Sequence, residues 1–286
     1  MKKIAIVISS FSGKLDDEVK SNGMYSLPLQ LTIEKEEWLE GFYNQETKNN
    51  IVKKFVNTSN YGTSLPPLGL MIEQMKQLSN EYDQVLYIPL SSELSGTCNA
   101  LKNNARHYKN VKVFDNHLSG SALFHAGLEC KRLYEEENKS IEEVLAFLKD
   151  FDDKTIGYII PKGTEALIKS GRLKGAGKLL VSSMKLSIMI LVSSVVKSGG
   201  VTRTKKSATV KVVDKILNFM KQKNLTIDDV EFTIIYNYDD EIPNLYLNVL
   251  NEKGIQITHK EESSIATLMH TGYGAAYLGI NPKIKK

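Results

Sequence analysis

The sequence predicts an α/β protein of two domains, an N-terminal domain with a parallel sheet and a C-terminal α+β domain with a mostly antiparallel one. Three observations predict it. Short apolar runs alternate with helical stripes through the first half. Near residue 154 that alternation gives way to a different texture, and in the second half a long strand-like run meets a Ser-Gly-Gly turn signal. The domains are therefore drawn as 1–154 and 155–286, each long enough to enclose its own core.

Lys3–Ile8 reads as a buried strand, followed by a polar loop holding Ser9, Ser10, Ser12 and Gly13. Residues 14–33 have no clear period. Glu34–Tyr43 is expected as a short helix burying Trp38, Leu39 and Phe42, with the polar run through Asn49 and Asn50 as an excursion. Thr63-Ser64-Leu65-Pro66-Pro67 precedes Leu68, Met71, Ile72, Met75 and Leu78 at helical spacing. Proline beside hydroxyl residues is a start signal, so Thr63 and Ser64 are expected at a helix N-terminus. A strand from Gln84 to Pro89 runs into Leu90-Ser91-Ser92-Glu93-Leu94-Ser95-Gly96-Thr97, beyond which Cys98, Leu101, Ala105 and Tyr108 form the stripe of a helix. That places Ser95 and Thr97 at its first turn. Val111–Asp115 is the next strand. Two helices follow, on Leu123, Ala126, Cys130 and Leu133, then on Ile141, Val144, Leu145 and Leu148.

In the second half, Thr155–Ile160 is a strand, Thr164–Lys169 a helix ended by Gly171, and Gly175–Met184 another helical piece. Ser187–Lys197 is expected as a long strand turned back by Ser198-Gly199-Gly200, and Lys205–Met220 as a helix. Glu231–Tyr236 and Ile255–Thr258 read as strands flanking a helix near Asn244–Leu250, and Ala275–Ile280 as the last strand.

Composition excludes several classes of function. With 42% hydrophobic and 24% charged residues the chain is of ordinary globular type. Its longest apolar run, around Ser187–Val196, is broken by serines and falls short of the roughly 18 residues of a span, so no stable membrane insertion is expected. Ser9, Ser10, Ser12 and Gly13 interrupt the apolar start after five residues, too early for a signal peptide, which predicts a cytoplasmic protein. Cys98 and Cys130 form no Cys-x-x-Cys pair, so neither a disulfide framework nor a structural zinc is indicated. A net charge of +4 is too small to name nucleic acid as a partner. Its distribution is uneven: residues 162–206 carry +9, leaving −5 for the rest. Most such charges are a solvated face, but the segment also suits an anionic headgroup, a phosphate or an acidic protein.

Two tempting motifs fail. Gly171–Lys178 has Ala176 where a phosphate loop needs glycine and Leu179 where it needs a hydroxyl, and no Gly-x-Gly-x-x-Gly follows the first strand. The five histidines lack zinc-site spacing, so no metal is expected. His270 stands in Met269-His270-Thr271-Gly272-Tyr273-Gly274, a glycine-bearing turn whose backbone could approach a ligand. A Ser95/His270 hydrolase acting on acyl esters is one alternative, although Glu93 occupies the first glycine of Gly-x-Ser-x-Gly. The hydroxyls at the strand-to-helix turns read either as plain helix caps or as an anion site, since unpaired N–H groups and the helix dipole meet Ser and Thr side chains there.

Four motifs in sequence order, Thr63-Ser64-Leu65-Pro66, Leu94-Ser95-Gly96-Thr97, Lys169-Ser170-Gly171-Arg172 and His270-Thr271-Gly272-Tyr273-Gly274, make the chain resemble the DegV family of bacterial fatty-acid-binding proteins over nearly its whole length. The resemblance implies a two-domain DegV-like fold with one long-chain fatty acid between the domains. Its carboxylate would be gripped at Thr63, Ser95 and His270, with Ser64, Gly96, Thr97 and Thr271 around them and Arg172 close by. Arg172 and Arg203 would face a phosphate or a kinase. Such a protein is a carrier without catalytic residues or cofactor. It presents the fatty acid to a separate fatty acid kinase and passes the acyl-phosphate to an acyltransferase for phospholipid synthesis. The chain departs from the family pattern at Ser9-Ser10, usually Asp-Ser, at Leu65, usually Gln, and at Gly272-Tyr273-Gly274, usually Gly-Pro-Gly. A module for another small organic acid is the remaining alternative.

Overall fold

The computed structural model describes residues 3–171, 186–193 and 195–284. Arg172 and the expected helix at 175–184 lie outside these residues. The chain divides into two compact units, Met1–Asp152 with Ser264–Ala266, and Asp153–Ser263 with Thr267–Lys286. The fold is mixed α/β, with a parallel sheet in the first unit and a mostly antiparallel one in the second.

The strands of the first unit are β1 (Ile4–Ser9), β2 (Tyr25–Leu27), β3 (Gln30–Ile33), β4 (Glu36–Leu39), β5 (Tyr61–Ser64), β6 (Gln84–Ile88) and β7 (Val111–Val113). Its helices are α1 (Asp16–Ser21), α2 (Gln45–Val56), α3 (Leu68–Glu81), α4 (Thr97–Ala105), α5 (Gly120–Glu135) and α6 (Ile141–Asp153). Four strands form a parallel sheet in the order β2-β1-β6-β7. Every residue of β1 is buried, as a strand covered on both faces requires. Ala5 and Val7 join Met71, Met75 and Leu78 of α3 and Leu101 of α4 in one core. On the other face α5 lies very close to β1: a Cβ on Gly127 would sit 3.0 Å from both Ile8 Cγ2 and Met24 Sδ.

A second, antiparallel sheet of order β4-β3-β5 replaces the helix expected over Glu34–Tyr43. Ile33 pairs with Glu36, so Glu34 and Lys35 make a two-residue hairpin turn. Glu34 adopts the left-handed conformation such turns need, at φ 56°, without the Asn-Gly signal that would have revealed it. Phe42, expected inside, is 42% exposed. The polar run through Asn49 and Asn50 belongs to α2, capped by Asn44 accepting from the Thr47 amide at 2.8 Å and anchored by buried Ile51 and Phe55 one turn apart.

The second unit contains β8 (Ile156–Ile160), α7 (Glu165–Ser170), β9 (Ser187–Val192), β10 (Val196–Thr202), α8 (Lys205–Gln222), β11 (Val230–Tyr236), α9 (Glu241–Glu252), β12 (His259–Glu262), α10 (Ile265–Thr271), whose first two residues group with the first unit, and β13 (Ala276–Pro282). Its sheet order is β10-β9-β8-β13-β11-β12, antiparallel except where β12 joins β11. Val212, Val213 and Ile216 of α8 and Ile242, Tyr246 and Leu250 of α9 cover it in one core. The hairpin is present but its reversal falls between Val192 and Val196, which pair. Ser198-Gly199-Gly200 lies inside β10 at a register shift, where Gly199 leaves room for Tyr158: a Cβ there would be 2.9 Å from the ring. The strand expected at Ile255–Thr258 is instead His259–Glu262, an edge strand whose polar residues carry no apolar alternation. No described helix is long and apolar enough to cross a membrane.

Candidate functional site

In the parallel sheet β1 connects to β2 on one side and β6 to β7 on the other, so the crevice at the carboxyl ends of β1 and β6 is the topological switch point where open α/β sheets bind ligands. Ile8 pairs with Ile88, and the serine loop after β1 leaves the sheet beside the turn after β6. Ser10 has a structural task there, accepting the Leu29 amide at 3.1 Å and tethering the start of the small sheet.

The turn after β6 is held by its own backbone and by the loop after β7. The amides of Leu94 and Ser95 both donate to Ser91 O at 3.0 Å. The Ser92 amide donates to Asp115 Oδ1 at 3.0 Å, and Lys102 of α4 lies 3.4 Å from Oδ2. Burial pushes the Asp115 carboxyl up, but the bonds from Ser92 and the Lys102 charge outweigh it and hold the group below the usual carboxylate range. Asn116, fully buried, donates to Pro89 O at 2.7 Å and accepts from the Leu118 amide at 2.9 Å, so the ends of β6 and β7 are clamped together. Neither Asp115 nor Asn116 was singled out by sequence pattern. The one available signal was their position just past an apolar strand.

The first helical residue is Thr97 and the cap is Gly96, so Ser95 lies just before the first turn in which it was expected. Ser95 still serves the helix, because its Oγ accepts from the Thr97 amide at 3.3 Å and pairs with Thr97 Oγ1 at 2.9 Å. The two hydroxyls own two hydrogens and use one between them, which leaves one donor for an acceptor outside the turn. Around it lie the first-turn N–H groups of α4, which have no intrahelical acceptor. This is an arrangement for holding an oxyanion by neutral donors. It is a poor arrangement for a nucleophile, since the hydroxyl of Thr97 is no general base for Ser95.

Thr63 and Ser64 are not at a helix N-terminus as expected. They end β5, paired with Leu31 and Gln30 of β3, and the cap of α3 is Pro67. The β-branched Thr63 suits extended backbone and Leu65 is held out of the helical region by Pro66, so β5 continues to Ser64 and the helix starts only after the prolines. Ser64 is exposed and donates its Oγ hydrogen to Gln30 Oε1 at 3.3 Å. Leu65 connects this stretch to the serine turn: its Cδ atoms lie 3.7 and 3.8 Å from where a Cβ on Gly96 would stand.

In the second unit His270 and Thr271 form the last turn of α10, before the glycine turn and not within it. Buried Asn237 fixes this end. Its Nδ2 donates to Thr271 Oγ1 at 2.8 Å and to Gly272 O at 2.7 Å, while Thr271 passes its own hydrogen to Thr267 O at 2.7 Å. The hydrogen of the Thr271 hydroxyl is thereby used within the fold. Gly274 is crowded by Lys162, whose Cδ would be 2.5 Å from a Cβ there. Lys162 pairs with Asp239 at 2.8 Å and Lys205 with Glu241 at 2.9 Å, so part of the basic segment is neutralised internally. Arg203 is exposed.

A family profile described as "Uncharacterised protein, DegV family" matches residues 3–283. Among curated proteins, a DegV domain-containing protein of Mycoplasmopsis pulmonis is 27% identical over 282 residues, covering 97% of this chain and 94% of its own. Another from Mycoplasma genitalium is 25% identical over 293 residues, covering 96% and 97%. Among solved structures, a DegV family protein from Thermus thermophilus described by its fatty acid binding superposes with a TM-score of 0.81 at 20% identity, covering 98% of this chain and 100% of that one. A fatty acid binding DegV family protein from Streptococcus agalactiae reaches a TM-score of 0.84 at 17% identity, covering 99% and 100%. With a family profile spanning nearly all of its residues, the chain belongs to the DegV family.

Proposed function

We propose that this chain binds one long-chain fatty acid and presents its carboxylate to a partner fatty acid kinase for acyl-phosphate formation. The observation that carries the reading is the Ser95–Thr97 hydroxyl pair, poised at the start of α4 with one hydrogen to give. Relatives described as fatty-acid-binding support the ligand class. About 15 methylenes at roughly 0.8 kcal/mol each offer on the order of 12 kcal/mol before ordering costs, so the tail dominates affinity. The headgroup decides identity, because a buried carboxylate without donors costs several kcal/mol. Neutral donors supply those bonds and leave the oxygens reachable for phosphorylation.

In this reading Thr63 and His270 are further carboxylate donors, Thr271 fixes the turn beside His270, and Arg172 and Arg203 serve the phosphate or the kinase. Displacement of a fluorescent fatty acid is the test. Ser95→Ala and His270→Ala are each expected to weaken binding by about tenfold, near 1.4 kcal/mol, and to reduce kinase-dependent acyl-phosphate formation more severely. Unchanged affinity and unchanged acyl-phosphate in both variants would remove these residues from the site, and covalent labelling of Ser95 by a fluorophosphonate would favour a hydrolase instead.

A further inference from the structure

Glu40 follows β4 and is 2% exposed, an unusual place for a carboxyl group. Its amide donates to Leu29 O at 2.8 Å, which fixes the backbone at the end of the small sheet. Its Oε1 accepts from the Ala266 amide at 3.1 Å, a contact spanning 226 residues of chain, and the Ile265 amide also bonds to the carboxyl. These are the first two residues of α10, so the side chain caps a helix from a remote part of the sequence. Its other oxygen, Oε2, is buried with no hydrogen-bond partner among the described residues. Ser264–Ala266 is the segment of the distant chain that belongs to the first compact unit.

We propose that Glu40 is a proton-dependent clasp, closed on the Ser264–Ala266 segment when its carboxyl is neutral and loosened when it is charged. Three influences meet on the group. Burial opposes the charge, whereas the two α10 amides and the buried Lys48 of α2 favour it. Asp16 of α1, whose amide donates to Gly41 O, has its own carboxylate engaged by Lys20 at 2.5 Å. Burial wins, pushing the Glu40 carboxyl up to about 7 from an ordinary 4.5. The closed clasp therefore holds a proton that the open, hydrated side chain would release. Rising pH favours opening until it passes the folded-state value.

Hydrogen exchange of the Ile265 and Ala266 amides, corrected for intrinsic rate, measures the clasp without any ligand. In the wild-type chain their protection is expected to fall on the order of 100-fold between pH 5 and pH 8. Glu40→Gln keeps the Oε1 acceptor without the titration, so its profile is expected to be flat and well protected. Glu40→Ala, lacking the acceptor, is expected to leave both amides poorly protected at every pH. A flat wild-type profile, or a Glu40→Gln slope equal to that of the wild type, would overturn the proposal. The consequence for ligand rests on the fatty acid reading: α10 runs on to His270, so fatty acid retention is expected to fall over the same pH range. Loss of that second effect with the first intact would count against His270 as a donor, not against the clasp.

Discussion

Glu40→Gln is expected to be more stable than the wild-type chain at pH 8, by about 3 kcal/mol at most, and equal to it at pH 4.5 or below. The sign follows from where the proton resides. In the unfolded chain Glu40 ionises near 4.5, in the folded chain near 7, so between these values the folded state holds more protons. Stability present below 4.5 is thus lost as pH rises through 7, and it stays lost above it. Asp115, Asp239 and Glu241 are shifted the other way, Asp115 by its bonds to Ser92 and Lys102 against burial, Asp239 by Lys162 and Glu241 by Lys205. Their contributions are present above the ordinary carboxylate range and lost as pH falls, which is why the difference between the two proteins, and not the wild-type curve alone, isolates Glu40. Urea denaturation followed by circular dichroism across pH 4.5–8 reads it. A Glu40→Gln chain less stable than wild type at pH 8 would mean that attraction to Lys48 and the α10 amides outweighs burial.

Asn237→Ala is expected to cost about 2–4 kcal/mol in unfolding free energy. The side chain is 2% exposed and both hydrogens of its amide nitrogen are used, one on Thr271 Oγ1 and one on Gly272 O. Truncation leaves two acceptors in the interior without donors, and each carries a penalty of about 1–3 kcal/mol. Asn237→Asp separates shape from chemistry, because a carboxylate of the same size has no hydrogen to give and faces two oxygens. It is expected to destabilise at least as much as alanine. Thermal unfolding of both variants checks this, and a near-neutral Asn237→Asp would show that the two bonds do not hold the end of α10.

The parallel half of the fold was legible because its signals are local. The apolar runs of β1 and β6 and the stripes of α5 and α6 each announce one element, and Gly171 in the left-handed conformation at φ 69° ends α7 as a glycine after a helical stripe predicts. Elements without a local signal were missed. The strands β2–β5 are three or four residues long, the Glu34-Lys35 turn lacks glycine, and β12 is a polar edge. The same division holds at the site. The turn bearing Ser95 and Thr97 could be placed between a strand and a helix from spacing alone. Asp115, Asn116, Asn237 and Glu40 could not, because their partners lie 23, 27, 34 and 226 residues away. A single polar residue contacting a distant segment leaves no periodicity to read.

The purified, folded chain is expected to hold a fatty acid. Native mass spectrometry before and after removal of lipid, followed by addition of a C16 or C18 fatty acid, tests it most directly. One fatty acid bound per chain, lost on delipidation and regained on addition, is the expected result. A lipid-free chain that refuses every added fatty acid while remaining folded would contradict it.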